Sequence, residues 1–367
     1  MSSKKDKFTN KDRFYMNLAI NLARGQDGLT GLNPSVGCVI VKNNEIISIG
    51  QTGYNGRPHA EYNAIKSCKK NLKGSTLYST LEPCAHFGKT PPCCNLIIKS
   101  KIKKVIFSLI DIDPITKGKS FKILRNKKIK VTKNLLYSVG NRFYKSYRIN
   151  KLKKIPYVTG KLAVSIDNFI FSKKKIRITN KHSDNISQIL RYKNDSILIS
   201  SRTLDADNPR LNCRINGLNK YSPQRIILDK NLTIKKNSYI YSTLNNKNTI
   251  IFYNKDIYNK AKSLKKSGCK LIKLSLNKNN FFDLTFVLKK IYSLGCRNLL
   301  VEGGKKLTES FLNDSLFNKF YLFRGSKILG VNGKINVSSL LNRLSFKYRN
   351  KSKINSFTEK DIVKIYK

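Results

Sequence analysis

Between His59 and Cys93 the chain sets one imidazole and two thiols in a fixed order. It reads H-A-E at His59, Ala60 and Glu61, then L-E-P-C ending at Cys84, then T-P-P-C ending at Cys93. This order constrains the fold more than any other feature, because three side chains drawn to one point dictate which chain segments must meet. One nitrogen and two sulfurs can hold a zinc ion on three sides and leave the fourth position for water, which separates a catalytic site from a structural one. Glu61 stands two residues after His59, where a helix would place it near the metal without making it a ligand. A carboxylate there can take a proton from water and hand it to a leaving amine.

Each residue alone has a plainer reading. A single histidine is more often a hydrogen-bonded side chain than a ligand, and buried cysteines are common as small hydrophobes. Only three histidines occur in the chain, however; one opens H-A-E, and another, His86, lies between the two thiols. The combination matches H-x-E followed by P-C and a second cysteine, the pattern of zinc deaminases. A catalytic zinc site is therefore expected over a closed structural site or no metal.

The rest of the composition sets bounds. A length of 367 residues suits two domains. No apolar run is long enough to span a bilayer, and residues 1–10 are polar without a signal-peptide core. The eight cysteines are scattered apart from the adjacent Cys93 and Cys94. They form no small-domain disulfide framework, so a cytoplasmic location is expected. The 73 basic and 21 acidic residues leave a net charge of +52. Nucleic-acid binding is the tempting inference, yet the charge is spread over the whole chain. Lysine dominates, accompanied by asparagine and isoleucine as AT-rich coding would produce, whereas arginine is the better reader of bases and phosphates. No nucleic-acid and no membrane partner is expected; an anionic small substrate would still gain from the field.

Along the first half, residues 14–24 carry Phe14, Leu18 and Leu22 at helical spacing, which predicts a helix with that stripe against a core. Residues 35–41 and 45–52 read as strands joined by a turn at Lys42, Asn43 and Asn44. His59 starts a helix towards Cys68, residues 76–80 form a strand leading into Cys84, and Pro91-Pro92-Cys93 opens a further helix. Zinc at two helix N-termini would find partial positive charge that steadies thiolates. Residues 104–108 form the next strand, so a layered α/β domain with the metal at the strand ends is predicted. Residues 134–150 read as one helix and 151–156 as a basic connector.

Eight residues separate Cys84 from Cys93, where nucleoside and nucleic-acid deaminases mostly carry C-x-x-C. The run Pro83-Cys84-Ala85-His86-Phe87-Gly88-Lys89-Thr90-Pro91-Pro92-Cys93 resembles P-C-S-H-x-G-x-T-P-P-C of the bifunctional riboflavin-biosynthesis deaminase/reductase family. Asn33-Pro34-Ser35-Val36-Gly37 is similar to that family's N-P-x-V-G. The resemblance implies a cytidine-deaminase-like three-layer domain over residues 1–150. It implies that His59, Cys84 and Cys93 bind Zn2+ and that Glu61 shuttles protons. It also implies that Asn33, His86 and Lys89 hold a phosphorylated diaminopyrimidine. The family's D-P-N-P-x-V-x-G-[KR]-G is degraded here to residues 111–120, so only part of that loop carries over.

In the second half, strands are predicted at 157–165, 196–200, 225–228, 249–253 and 298–301, with helices near 182–192, 257–267, 282–293 and 305–312. These describe a second α/β domain. Val301-Glu302-Gly303-Gly304 between strand and helix is either a phosphate cradle or a tight turn. The resemblance sharpens this, because the family's second domain is an NADPH-dependent reductase similar to dihydrofolate reductase, here residues 151–367. T-V-x-A-D-[DN]-P-x-L-x-x-R is matched from Thr203 to Arg214, K-x-x-x-S-x-D-G from Lys161 to Asn168 with Asn for Gly, and V-E-[AG]-G from Val301 to Gly304. It implies that Ala163, Arg177, Thr203, Asp207, Lys230 and the turn Gly304, Lys305, Lys306, Leu307, Thr308, Glu309 and Ser310 hold NADPH. Lys175, Arg191, Leu211, Arg214 and Glu302 would hold substrate, with Lys161 near the reacting carbon and the two arginines clamping a phosphate. Lys175 and Arg177 stand where the family has serine and tryptophan, which puts the reductase in question.

The expectation is thus a two-domain enzyme, a homo-oligomer, that deaminates a ribosylaminopyrimidine phosphate and reduces its ribosyl group with NADPH. A deaminase of RNA or free nucleosides, a deaminase with an impaired reductase, and a zinc-stabilised nucleic-acid-binding protein stand as rivals.

Overall fold

In the computed structural model, which describes residues 7–88, 90–174, 176–244, 248–354 and 360–367, the chain divides into two compact units after Lys154. The first contains α1 (Asn10–Gln26), β1 (Gly37–Lys42), β2 (Glu45–Gln51), α2 (Ala60–Ser67), β3 (Thr76–Leu81), α3 (Cys93–Lys99), β4 (Lys104–Leu109), α4 (Lys119–Asn126), β5 (Lys130–Lys133), α5 (Tyr137–Phe143) and α6 (Lys145–Lys153). Its sheet runs β2-β1-β3-β4-β5; β1 is antiparallel to both neighbours, and β3, β4 and β5 are parallel. Asn43 and Asn44 both adopt positive φ, 52° and 65°, as a two-residue hairpin between β1 and β2 demands.

Alternation along β1 assigns its two faces. Cys38 and Ile40 pack with Ala64, Leu77, Ile97, Phe107 and Leu124 on the side of α2, α3 and α4. Val39 and Val41 pack with α1 on the other side, giving three layers. Two glycines set how closely the helices sit. A Cβ at Gly37 would lie 1.9 Å from the Ala19 carbonyl oxygen of α1, and one at Gly50 would lie 2.3 Å from that of Ala60 in α2.

The helix α1 begins in a capping box: the Asp12 backbone N–H donates to Thr9 Oγ1 at 3.1 Å, and the Thr9 N–H donates to Asp12 Oδ2 at 3.0 Å. Of the stripe expected from the sequence, Leu18 and Leu22 are partly buried against the core, whereas the fully buried face lies beside them. Tyr15, Met16, Ala19, Ile20 and Ala23 are buried, while Phe14 is 61% exposed. The alanines disguised the inward face, since small residues are what a helix pressed onto a strand requires. The single helix expected over 134–150 is likewise two, α5 and α6, broken at Tyr144; its hydroxyl lies 2.6 Å from Thr80 Oγ1 and donates to the Ser35 carbonyl at 2.9 Å.

The second unit contains β6 (Tyr157–Val164), β7 (Phe169–Ser172), α7 (Lys181–Tyr192), β8 (Ser196–Ser200), α8 (Ser201–Asp207), β9 (Gln224–Leu228), α9 (Tyr239–Ser242), β10 (Thr249–Tyr253), α10 (Ala261–Lys266), β11 (Lys270–Lys273), α11 (Leu284–Ser293), β12 (Asn298–Val301), α12 (Lys305–Asn313), β13 (Lys319–Arg324), β14 (Gly333–Asn336), α13 (Ser338–Lys347), β15 (Lys351–Ile354) and β16 (Ile362–Tyr366). Nine strands form one sheet in the order β11-β10-β9-β8-β12-β6-β13-β16-β15. It is parallel from β11 to β13, and β16 and β15 are added antiparallel. Leu198, Ile226, Ile250 and Phe252 face α11, α12 and α13, whereas Ile197, Ile199, Ile227 and Ile251 face α7, α8, α9 and α10. Strands buried on both faces read as unbroken apolar runs, as parallel strands between helix layers do.

Asp195 marks the amino-terminal edge of this sheet. Its Oδ2 accepts the backbone N–H groups of Arg297 at 2.6 Å and Asn298 at 2.7 Å, joining β8 to β12. Burial raises its carboxyl to about 6, with those two N–H donors opposing. An acid whose folded value lies above its unfolded one adds stability while protonated and loses it as pH rises. Asp195→Asn, which keeps an oxygen for both N–H groups, is therefore expected to gain on the wild type between roughly pH 4 and 6. The relative gain is on the order of 2 kcal/mol, measured by urea unfolding across that range; a difference independent of pH would contradict it.

Candidate active sites

His59 precedes α2 as its cap, in an extended conformation (φ −71°, ψ 156°), and Glu61 follows within the first turn. Cys84 lies just after β3, and Cys93 is the first residue of α3 behind Pro92. These three ends converge. His59 Nδ1 is 3.5 Å from the Sγ of Cys84 and 3.5 Å from that of Cys93, and the three candidate ligand atoms lie within 4.8 Å of one another. The Cys93 backbone N–H donates to Cys84 Sγ at 3.2 Å and the Cys94 N–H to the Cys84 carbonyl at 3.2 Å, so α3 is hung directly on the first thiol. One imidazole and two thiols at this separation fit a zinc ion with one position left over.

The electrostatics favour a thiolate at Cys84 alone, since Cys93, hydrogen-bonded to Cys84 and buried, is pushed well above the ordinary thiol range. The hydrogen bond from the Cys93 thiol pulls Cys84 down to about 4, with burial opposing and His59 assisting. The bond to Cys84 in turn raises His59. Glu61 is buried at 4% exposure and accepts from Ser79 Oγ at 2.9 Å. Burial holds its carboxyl above the ordinary range, partly offset by the nearby His59. A carboxyl poised in this way can both accept and return a proton.

Asn33 and His86, also expected at this site, each have a polar partner within the protein. Asn33 donates through Nδ2 to the Gly56 carbonyl at 2.9 Å, fixing the loop that delivers His59. His86 Nδ1 lies 3.3 Å from Thr116 Oγ1. Lys89 falls outside the described residues. Two residues carry weight that the sequence reading did not assign. Arg57 donates to Thr90 Oγ1 at 2.7 Å, tying the Cys84-to-Cys93 loop to the chain just before His59. Glu82 is 3% exposed and collects the N–H groups of Asp111 and Gly118 at 3.2 and 2.9 Å on Oε2, and the Ser120 hydroxyl at 2.8 Å on Oε1. The degraded stretch 111–120 is thus anchored from beneath by Glu82. The signal was available, since a carboxylate between a buried strand and the proline before Cys84 must find donors.

In the second unit a cavity of about 500 Å3 opens at the carboxyl end of the parallel strands. It gathers Lys161, Ala163, Arg191, Thr203, Asp207, Leu211 and Glu302 with the turn Gly304, Lys305, Lys306 and Leu307. Thr203 Oγ1 accepts the Gly304 N–H at 3.3 Å, joining the starts of α8 and α12. Asn168, where the family has glycine, adopts φ 67°, a left-handed conformation that asparagine tolerates.

Several expected positions lie elsewhere. Arg177 is ion-paired with Asp184 and does not line the cavity. Thr308 is 1% exposed and its hydroxyl bonds the Gly303 carbonyl, while Glu309 is engaged by Arg343 at 3.1 Å. Lys230 and Ser310 line a second cavity. Lys175 falls outside the described residues. Arg214 is exposed and donates to Asn212 Oδ1 at 3.2 Å. The two-arginine phosphate clamp is not realised at Arg191. Its Nε and NH2 donate to the two oxygens of Glu302 at 2.8 and 3.0 Å, and NH1 donates to the Asn212 carbonyl. Lys161 Nζ stands 3.9 Å from the same carboxylate. Burial opposes ionisation of Glu302, yet Arg191 and Lys161 outweigh it and hold the carboxyl at about 2. Removing one partner of such a pair strands a buried charge. Arg191→Met is expected to cost about 3 to 5 kcal/mol in urea unfolding, and Arg191→Met with Glu302→Leu to recover most of it; a single variant within about 1 kcal/mol of wild type would contradict the pairing.

The "RibD C-terminal domain" family matches residues 156–356, and the "Cytidine and deoxycytidylate deaminase zinc-binding region" family matches residues 9–109. The riboflavin biosynthesis protein RibD of Aquifex aeolicus (strain VF5) is 35% identical over 87% of this chain and 88% of its own length. Among solved structures, Acinetobacter baumannii RibD (form 2) superposes with a TM-score of 0.82 at 25% identity, covering 97% of this chain and 98% of its own. A Thermotoga maritima protein described as a diaminohydroxyphosphoribosylaminopyrimidine deaminase/5-amino-6-(5-phosphoribosylamino)uracil reductase gives 0.79 at 28% identity, covering 97% and 98%. With a cytidine-deaminase-like unit followed by a dihydrofolate-reductase-like one, this chain belongs to the RibD family of riboflavin-biosynthesis enzymes, which join a zinc-dependent deaminase to an NADPH-dependent reductase.

Proposed function

We propose that the first unit hydrolytically deaminates 2,5-diamino-6-ribosylamino-4(3H)-pyrimidinone 5′-phosphate, and that the second reduces the ribosyl group of the product to ribityl. The observation that carries the first step is the His59, Cys84 and Cys93 cluster with Glu61 buried beside it. These three side chains would hold zinc, which when bound acidifies water and so supplies a nucleophile near neutral pH. Glu61 would accept a proton from the attacking water and deliver it to the departing amino group. Ser79 holds the carboxylate in place by its hydrogen bond. His86 and Lys89 supply donors and charge for the anionic substrate.

In the second unit NADPH, when bound, would supply the hydride that reduces the ribosyl C1. Lys161, fixed beside Glu302 and over the Phe323 ring, faces the cavity where that carbon would sit. Glu302 and Arg191 act together as a braced pair, and Arg214 offers the guanidinium for the phosphate. The residues expected for NADPH that share this cavity are Ala163, Thr203, Asp207 and Gly304 to Leu307. A small phosphorylated pyrimidine, rather than a nucleic acid, is the partner this cavity suits, and a homo-oligomer remains our expectation for the assembly.

Glu61→Gln is expected to lower ammonia release by about 10²- to 10⁴-fold while bound zinc, measured by elemental analysis, stays unchanged. Persistent ammonia release would remove the role given to that carboxylate. For the second unit, the purified wild-type chain is expected to oxidise NADPH when given the deaminated substrate, and Lys161→Met to abolish this without loss of ammonia release. No oxidation by the wild type would favour a deaminase carrying an impaired reductase.

A further inference from the structure

Among the described residues, Ile335 is the one β-branched side chain held at a left-handed backbone conformation (φ 68°). An isoleucine crowds its own backbone there, whereas glycine or asparagine takes the same conformation with little strain. Ile335 lies in β14, which pairs with β7 through Gly333 with Ser172, Lys334 with Phe171 and Asn336 with Phe169. The ribbon is tightly made. A Cβ at Gly333 would lie 2.4 Å from the Phe169 ring. Before the strand, Asp167 Oδ2 accepts the Gly330 N–H at 2.8 Å; after it, the Asn168 carbonyl accepts the Val337 N–H at 3.0 Å. Pinned at both ends, β14 cannot relieve the angle at Ile335 by sliding along β7.

The ribbon geometry accounts for a left-handed residue at this position but not for its being isoleucine. The side chain is 46% exposed, so burial within the protein offsets only part of the strain. It lines the cavity that holds Lys161, together with Ile170 and Phe171 of β7. Leu211, a second large apolar residue in the left-handed region (φ 56°), lines the same cavity. The ribbon thus presents apolar side chains alone to a cavity whose other walls carry Lys161, Arg191, Asp207 and Glu302. Backbone strain retained beside a cavity is characteristic of residues that touch a ligand. A half-exposed apolar surface opposite charged walls suits a flat, uncharged heterocycle whose phosphates are held elsewhere.

We propose that Ile335 is a further binding residue of the reductase reaction, kept in a strained conformation so that its side chain covers the flat heterocycle at the reaction centre. Two rings share that chemistry, the pyrimidine of the substrate and the nicotinamide of NADPH, and the test below separates them. The proposal rests on the reading that this cavity is the reductase site. It brings in β14, a segment from which the sequence suggested no site residue.

Two variants of the full-length chain test this. Ile335→Asn removes the apolar contact but accepts the backbone angle, and Ile335→Val keeps both the contact and the strain. Isothermal titration gives Kd for NADPH and for 2′,5′-ADP, which lacks the nicotinamide half; NADPH oxidation gives KM for the deaminated substrate. Ile335→Asn should keep a thermal midpoint no lower than wild type and bind 2′,5′-ADP as wild type does. It should raise KM for the substrate or Kd for NADPH by about tenfold, whereas Ile335→Val should behave as wild type. A rise in KM alone assigns the contact to the pyrimidine, a rise in Kd alone to the nicotinamide, and a rise in both to the pair. The assignment is overturned if Ile335→Asn leaves both constants unchanged, lowers the thermal midpoint, or weakens 2′,5′-ADP as much as NADPH. The reductase reading then still stands, provided that wild type oxidises NADPH. If wild type neither binds nor oxidises NADPH, that reading falls and this one with it.

Discussion

The chemistry proposed for the first unit depends on bringing His59, Cys84 and Cys93 to one point from the ends of three different elements. The requirement reaches far into the packing. Glycine at position 50 lets α2 lie against β2 closely enough to carry His59 and Glu61 inward. The backbone bond from Cys93 to Cys84 fixes the start of α3 against the end of β3. Beneath them, Glu82 ties the end of β3 to the start of α4, and Tyr144 ties Thr80 to Ser35. A metal ion would lock an arrangement that hydrogen bonds already approach, so that binding selects among conformations that are nearly in place.

The second unit applies a comparable economy to charge. In a chain of net charge +52, carboxylates are scarce, and Glu302 and Asp361 each serve several partners. Glu302 holds Arg191 by two bonds and Lys161 by charge, which leaves Lys161 at the cavity wall with a compensating anion behind it. Asp361 similarly gathers the Asn180 N–H, the Ser183 hydroxyl and the Ser326 N–H, joining the strand β16 to the start of α7. The surplus of lysine therefore decorates the outside, including the edge strands β11 and β15, where charge discourages pairing with other chains.

Much of the site was legible because its chemistry needs particular residue types at fixed spacing. His59, Glu61, Cys84 and Cys93 stand out in the sequence for that reason, and the glycine turn after β12 does so too. What escaped was of another kind. Packing of α1 hid in part behind alanines: Leu18 and Leu22 do pack against the core, but Phe14 is exposed and the fully buried face is Met16, Ala19 and Ile20. The break falls at Tyr144, whose hydroxyl reaches Ser35, more than a hundred residues earlier, a contact that no local pattern records. Arg191 and Arg214 look equivalent as isolated arginines, and only tertiary structure reveals that the first is already spoken for by Glu302. Arg177 and Glu309 are likewise diverted to ion pairs with Asp184 and Arg343.

The central claim is an open metal site made from one nitrogen and two sulfurs. X-ray absorption at the zinc edge, on protein loaded under reducing conditions, tests it most directly. The account predicts two sulfur ligands at about 2.3 Å and two light-atom ligands at about 2.0 to 2.1 Å, one from His59 and one from solvent. A shell of four sulfurs, or one of oxygens alone, would contradict it.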